Sequence, residues 1–215
     1  MGDVRVRGFP LASLYWPYGE TFFHNATGRF SDGRIPPDFI GLPILPPYLE
    51  PKRHVFTDGA NFATSGSCIL FGTTEFNDLP IQLQFFKQVI KILKGQVGDA
   101  EAKRDVTDAV YLISDGGNDY MKFYYFHSDA NKDSMSDFVK LVIDHLHEYL
   151  LELTSLGARK ILYQNVGPIG CNPSERLSDG QCNEKENSMA RAHNKGLIRV
   201  MKQIERGGWF QIWNI

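Results

Sequence analysis

Residues Tyr111–Tyr120 read YLISDGGNDY. An apolar run of β type, Ala109–Ser114, breaks into two glycines and then an amide and a carboxylate, Asn118 and Asp119. A short apolar run bounded by glycine predicts a buried strand. The glycines allow a sharp turn and a close approach to a ligand. Two readings of Gly116-Gly117-Asn118-Asp119 stand side by side. Gly, Asn and Asp favour turns for local reasons, and an Asn amide at a strand end can also donate to a developing oxyanion.

Outward from this stretch, strand and helix patterns alternate. Val55–Phe62 predicts an earlier strand that opens into the small-residue loop ATSGSC, residues 63–68. Pro80–Leu93 places apolar residues at helical spacing and is expected to stop before Gly95. Ser136–Leu156 is the clearest helix. Its apolar stripe comprises Phe138, Leu141, Val142, His145, Leu146, Tyr149, Leu150 and Leu153, with Ser136 as N-cap and Gly157 as stop. Ala158–Val166 predicts a strand, Glu184–Glu205 a helix, and Gly208–Ile215 a last strand-like run. Residues 16–54 hold seven of the 11 prolines and are expected to be irregular, with a helical turn near Asp38. The alternation argues an α/β sandwich with a mostly parallel sheet, in which ligands bind at the carboxyl ends of strands. Those ends are the loops after Phe62, Ser114 and Val166.

The 215 residues are read as one domain, 1–215, large enough for a substantial core. Net charge is -2 and no block of like charge stands out, which argues against a nucleic-acid partner. No run reaches the roughly 18 apolar residues of a membrane span. The N-terminus lacks the apolar core of about 7–15 residues that marks a secretory signal, so the compartment is left open. Cys68, Cys171 and Cys182 fit no zinc spacing, and no metal or cofactor is indicated. Cys171 and Cys182 flank a polar loop. They form a disulfide in an oxidising compartment or two free thiols in a reducing one. Asn25-Ala26-Thr27 is an N-glycosylation sequon, with meaning only in a secreted chain.

The loop Gly59–Gly66 repeats the theme of a strand end opening into small residues. The N–H of Gly66 is a second candidate oxyanion donor, against the simpler reading of a connection that needs small side chains. Asp144-His145-Leu146-His147 has Asp-x-x-His spacing but falls inside the predicted helix. His193 falls in a helix and reads as packed or surface, and His24, His54 and His127 lack an acidic partner at a telling spacing.

Six segments occur in a telling order: WPYGETFFHNATGRFSDGRIPPDFI, LPILPPYLEP, GANFATSGSCIL, AVYLISDGGNDY, GARKILYQNVGPIGC and the AxxHN stretch Ala190–Asn194. Together they resemble the plant GDSL-type esterase/lipases of the SGNH hydrolase class, over nearly all of the chain from Trp16 onward. The resemblance implies a three-layer α/β/α fold and hydrolysis of acyl or lipid esters by a serine nucleophile. It assigns Gly66 and Asn118 to the oxyanion hole, with Gly116 and Asp119 supporting them. The loop TSGSC departs from the usual SGGAG at Thr64, Ser65 and Ser67.

Two blocks of the family pattern are not met. No Gly-Asp-Ser precedes Trp16. Gly2-Asp3 runs into Val4, and Ser13 has no Gly-Asp before it. No Asp-x-x-His follows the last helix. The expectation is therefore a shortened family member without the nucleophile-bearing first strand, with no catalytic residue of its own, marginal in stability and without useful turnover. The alternatives are a non-catalytic form that binds an acyl ligand or a protein partner, and a transcript product with no role.

Overall fold

The computed structural model describes residues 5–6, 9–10, 12–35, 38, 45, 47–49, 55–70, 78–208 and 211–214. Among these the elements run β1 (Arg5–Val6), β2 (Phe9–Pro10), α1 (Leu79–Val97), α2 (Asp99–Asp108), β3 (Val110–Ile113), α3 (Gly117–Phe126), α4 (Lys132–Ser155), β4 (Lys160–Tyr163), α5 (Glu184–Arg206) and β5 (Gln211–Asn214). β1 and β2 form a small antiparallel pair. β3, β4 and β5 form a parallel sheet in that order, with Ile113 opposite Tyr163 and Tyr163 opposite Asn214. Parallel neighbours need long crossovers, and helices supply them. The chain is an α/β sandwich.

The core follows from the helix faces. α4 buries Val139, Val142, Ile143, Leu146, Leu150 and Leu153, at three- and four-residue spacing. α5 answers with Met189, Ala190, Leu197, Val200, Met201 and Ile204. Ile161 and Tyr163 of β4 are wholly buried between them and the rest of the core.

Several expectations are corrected. Val55–Phe62 is not a strand: residues 55–60 are turns and irregular backbone, and only Asn61 forms an isolated parallel bridge, to Pro47. A β-compatible run without a continuous partner has nowhere to place its backbone hydrogen bonds. α1 passes through Gly95 and stops at Val97, where Gly98 has φ +85°. α4 begins four residues before the expected cap Ser136. Asn131 caps it, its Oδ1 accepting from Ser134 N at 2.9 Å. Leu141 and His145 lie outside the buried stripe and are exposed. α2 and α3 were not expected as helices. Asp38 does sit in a short 3-10 turn, its N–H donating to Ile35 O at 2.8 Å. His54 lies outside the described residues.

Cys171 and Cys182 are joined as a disulfide, with Cα atoms 4.4 Å apart and 11 residues of separation. Inside the loop, Arg176 Nε donates to Cys171 O at 3.1 Å and its guanidinium to Gly180 O at 3.0 Å. Closing so short a loop stabilises a fold by about 2–3 kcal/mol. Reduction is therefore expected to lower the melting temperature by about 5–10 °C, read by calorimetry with and without dithiothreitol. An unchanged Tm on full reduction would remove the disulfide from the stability of this fold. No helix among the described residues is long and apolar enough to cross a membrane.

Candidate active site

The site grows from the carboxyl end of β3. Beyond Ile113 the chain passes Ser114 and Asp115 and turns at Gly116, whose φ of +109° is left-handed. Two facts demand glycine here. That conformation is costly for any side chain. A Cβ would also stand 3.0 Å from His193 Cε1 and 3.1 Å from Ile69 Cδ1. Gly117 then starts α3, so Asn118 and Asp119 occupy its first turn.

That first turn holds the loop 63–70. Asn118 Nδ2 donates to Ser67 O at 2.9 Å. The buried Asp119 carboxyl accepts from Ile69 N at 2.9 Å and from Leu70 N at 3.0 Å. Gly66, with φ +75°, precedes Ser67. All four residues singled out in the sequence, Gly66, Gly116, Asn118 and Asp119, therefore meet at one junction. It lies at the strand end where α/β proteins place their ligands.

Ser67, one of the departures from the family pattern, is the hub. Its carbonyl holds Asn118. Its Oγ donates to Asp115 Oδ2 at 2.6 Å and accepts from Gln82 Nε2 of α1 at 2.9 Å. Asp115 Oδ1 accepts from Gly116 N at 2.8 Å, and Tyr163 Oη donates to Asp115 O at 3.2 Å. Next along the loop, Cys68 N donates to Asp78 Oδ1 at 3.1 Å and Cys68 O accepts from Leu79 N at 2.9 Å. The sequence reading passed over Asp115 and Gln82, and took Ser67 only as a departure from the family pattern. Their partners lie 48 and 15 residues away, beyond the reach of local pattern.

Burial sets the protonation of these groups. Desolvation pushes Asp115 up to about 6, against the Ser67 and Gly116 hydrogen bonds, which favour the anion. It pushes Asp119 up to about 7, against the two backbone N–H groups. His193 is wholly buried, and desolvation pushes it down to about 4, so it is neutral near pH 7. Its Nδ1 lies 2.7 Å from Tyr120 Oη, and its Nε2 has no hydrogen-bond partner. The AxxHN stretch thus packs under the glycine turn. Its neighbour Asn194 holds the exit of β4, accepting from Val166 N and donating to Val166 O, each at 2.9 Å.

The sign of the histidine effect can be worked out. The unfolded imidazole takes a proton near pH 6.5 and the folded one near pH 4. The stability His193 lends is present above about pH 6.5 and is lost as pH falls toward 4. Asp115 and Asp119, both raised, run the opposite way. A direct comparison isolates the histidine: the melting temperature of wild type minus that of His193→Gln should fall as pH is lowered from 7 to 4.5. A difference independent of pH would mean that His193 titrates normally.

The other candidates lie elsewhere. Asp144 and His145 are exposed on α4, Asp144 beside Lys140. His24 and His127 are exposed. Ser13 is buried, with its Oγ unpartnered. Among the described residues, no group of three or more His, Cys, Asp or Glu is placed to hold a metal ion.

The GDSL-like Lipase/Acylhydrolase family profile matches residues 12–211. The chain belongs to this family. Three relatives place this GDSL chain among plant proteins. It is 38% identical over 211 residues to GDSL esterase/lipase 4 of Arabidopsis thaliana, covering 90% of this chain and 56% of that protein. It is 37% identical over 200 residues to a GDSL lipase of Tanacetum cinerariifolium, covering 89% and 53%. It is 36% identical over 203 residues to GDSL esterase/lipase 5 of Arabidopsis thaliana, covering 88% and 52%. This GDSL chain spans about half the length of the curated relatives it matches. No solved structure matches it significantly.

Proposed function

We propose that this chain carries the oxyanion side of a serine hydrolase acting on acyl or lipid esters. The contact from Asn118 Nδ2 to Ser67 O, which seats the amide beside Gly66, carries the reading. An Asn amide nitrogen has two hydrogens. One is spent on Ser67 O, and the other is offered with the Gly66 N–H to the oxygen of a tetrahedral intermediate. Charge develops on that oxygen as a serine Oγ attacks the ester carbon, and fixed donors stabilise it without reorganising. Gly116 sets the turn that aims Asn118, and Asp119 fixes the facing loop.

The nucleophile and its base are not among the 215 residues. They contain no Gly-Asp-Ser, and their one Asp-x-x-His, Asp144–His147, is in the middle of α4. The 215 residues by themselves are therefore inactive, since oxyanion donors alone leave only residual catalysis. The test has two parts. The 215-residue chain should hydrolyse p-nitrophenyl butyrate at the buffer rate and take no fluorophosphonate label. Protein from the native source should show, by terminal-peptide mass spectrometry, flanking sequence that holds the labelled serine. Turnover by the 215 residues would overturn the claim of inactivity. A native protein that ends at residues 1 and 215 would overturn the hydrolase reading.

The second reading is non-catalytic binding of an acyl ligand or protein partner. One observation favours it. Val110 and Leu112 of β3, the outer strand of the sheet among the described residues, are 53% and 40% exposed, an apolar surface where a parallel strand is ordinarily covered.

A further inference from the structure

The sequon Asn25-Ala26-Thr27 has no part in the ester chemistry, yet the fold presents it. Residues 19–21 are tied to residues 31–32: Gly19 N donates to Ser31 O at 2.9 Å and Thr21 Oγ1 to Asp32 O at 2.8 Å. Below these ties, the Arg29–Asp38 ion pair is buried and Asp38 Oδ2 also accepts from Ile35 N at 2.9 Å. Residues 22–30 thus form the tip of a held loop. Asn25 and Thr27 are both exposed on it. The turn is enforced by backbone geometry. His24 is left-handed at φ +51°, and a Cβ on Gly19 would stand 1.9 Å from Asn25 O, so the Asn25 backbone sits directly on a glycine. Two further facts point to the modification. The Cys171–Cys182 disulfide belongs to an oxidising compartment, where N-linked glycans are also attached. An aromatic pair precedes the sequon by one residue, His24: Phe22 and Phe23 pack edge to face at 4.9 Å, the Arg34 guanidinium lies over the Phe22 ring at 4.6 Å, and Phe22 is still 46% exposed.

We propose that Asn25 carries an N-linked glycan and that its first sugar packs its apolar C–H face on the exposed part of the Phe22 ring that Arg34 leaves uncovered, where the electron-rich ring suits such a contact. The donor is an oligosaccharide on a polyprenyl diphosphate. The Asn25 amide nitrogen bonds to the sugar's anomeric carbon as that carbon's bond to the diphosphate oxygen breaks. The diphosphate leaves with the electron pair, and the amide loses one proton. This inference is independent of the ester-hydrolase reading.

Protein from the native source is digested with trypsin, and the peptide 8–29, bounded by Arg7 and Arg29, is examined by mass spectrometry. It should carry hexosamine and hexose mass. Enzymatic release in heavy-oxygen water should leave a labelled aspartate at position 25. Asn25→Gln and Thr27→Ala, expressed through a eukaryotic secretory pathway, should each lose the glycan completely. Deglycosylation should lower the Tm of the wild type by a few degrees and leave that of Phe22→Ala unchanged. An unmodified Asn25 in the native protein overturns the site, whatever the state of the cysteines. An equal loss on deglycosylation in wild type and Phe22→Ala overturns the packing on Phe22.

Discussion

Asn118→Ala, made in the full-length protein, is expected to lower kcat for ester hydrolysis by about 10²–10³-fold and to change KM little. The split follows from where the amide acts. A ground-state carbonyl gains little from the second Asn118 hydrogen, and a tetrahedral oxyanion gains much, so the loss falls on the transition state. The same substitution removes the bond to Ser67 O, a partly buried neutral hydrogen bond. That part costs about 1 kcal/mol and should appear as a fall in Tm of about 2–4 °C. Asn118→Asp separates the two effects. It keeps the volume but cannot donate when ionised, and its charge repels the oxyanion, so at pH 8 it should be at least as damaging to kcat. A variant that raises KM at unchanged kcat would place Asn118 in substrate binding and sink its oxyanion role.

How much of this was legible in the sequence differs from residue to residue. The run before Gly116 announced β3, and the glycine turn with Asn118 announced the junction. Both signals are local: hydrophobic continuity and turn chemistry act within a few residues. The helices missed had weak local signals. α2 is mostly polar and buries only Ala102 and Val106. α3 opens with residues that also make turns, and only the left-handed Gly116 shows that a helix is launched there. The expected cap of α4, Ser136, is a good N-cap type, but Asn131, five residues earlier, takes that place. Leu141 and His145, four residues apart, stand together on the flank of the buried stripe, where three- and four-residue spacing alone does not separate them from it. The Ser67–Asp115–Gln82 network was illegible for a different reason. Each member is an ordinary loop or helix-surface residue until tertiary packing brings it to its partners. Family resemblance pointed to Gly66 and Asn118, but Ser67 belongs to this chain's departures. The hub of the junction thus lies where the family pattern is of least help.

Asp119→Ala is expected to be the most destabilising single change at this junction, about 4 kcal/mol, a fall in Tm of about 10 °C. The carboxyl is buried and accepts from two backbone N–H groups, those of Ile69 and Leu70, in a segment that is itself buried. Removing it strands two amide donors with no water to replace it, and each orphan costs about 1–3 kcal/mol. Asp119→Asn keeps one oxygen and turns an NH2 group toward the second donor, so about half the loss should remain. The pH dependence has a definite sign. Asp119 holds its proton up to about pH 7 when folded and releases it near its ordinary value of 3.8 when unfolded. Its contribution is fully present at low pH and is lost as pH rises through about 7. The Tm difference between wild type and Asp119→Asn should therefore shrink from pH 5 to pH 8. Activity should fall too, although Asp119 is not placed to touch substrate. Ile69 and Leu70 close the loop that carries Gly66, and once they come away from α3 the two oxyanion donors are no longer held at a fixed separation. An Asp119→Ala protein that melts within about 2 °C of wild type, a shift too small for even one stranded amide, would show that Asp119 does not hold this loop.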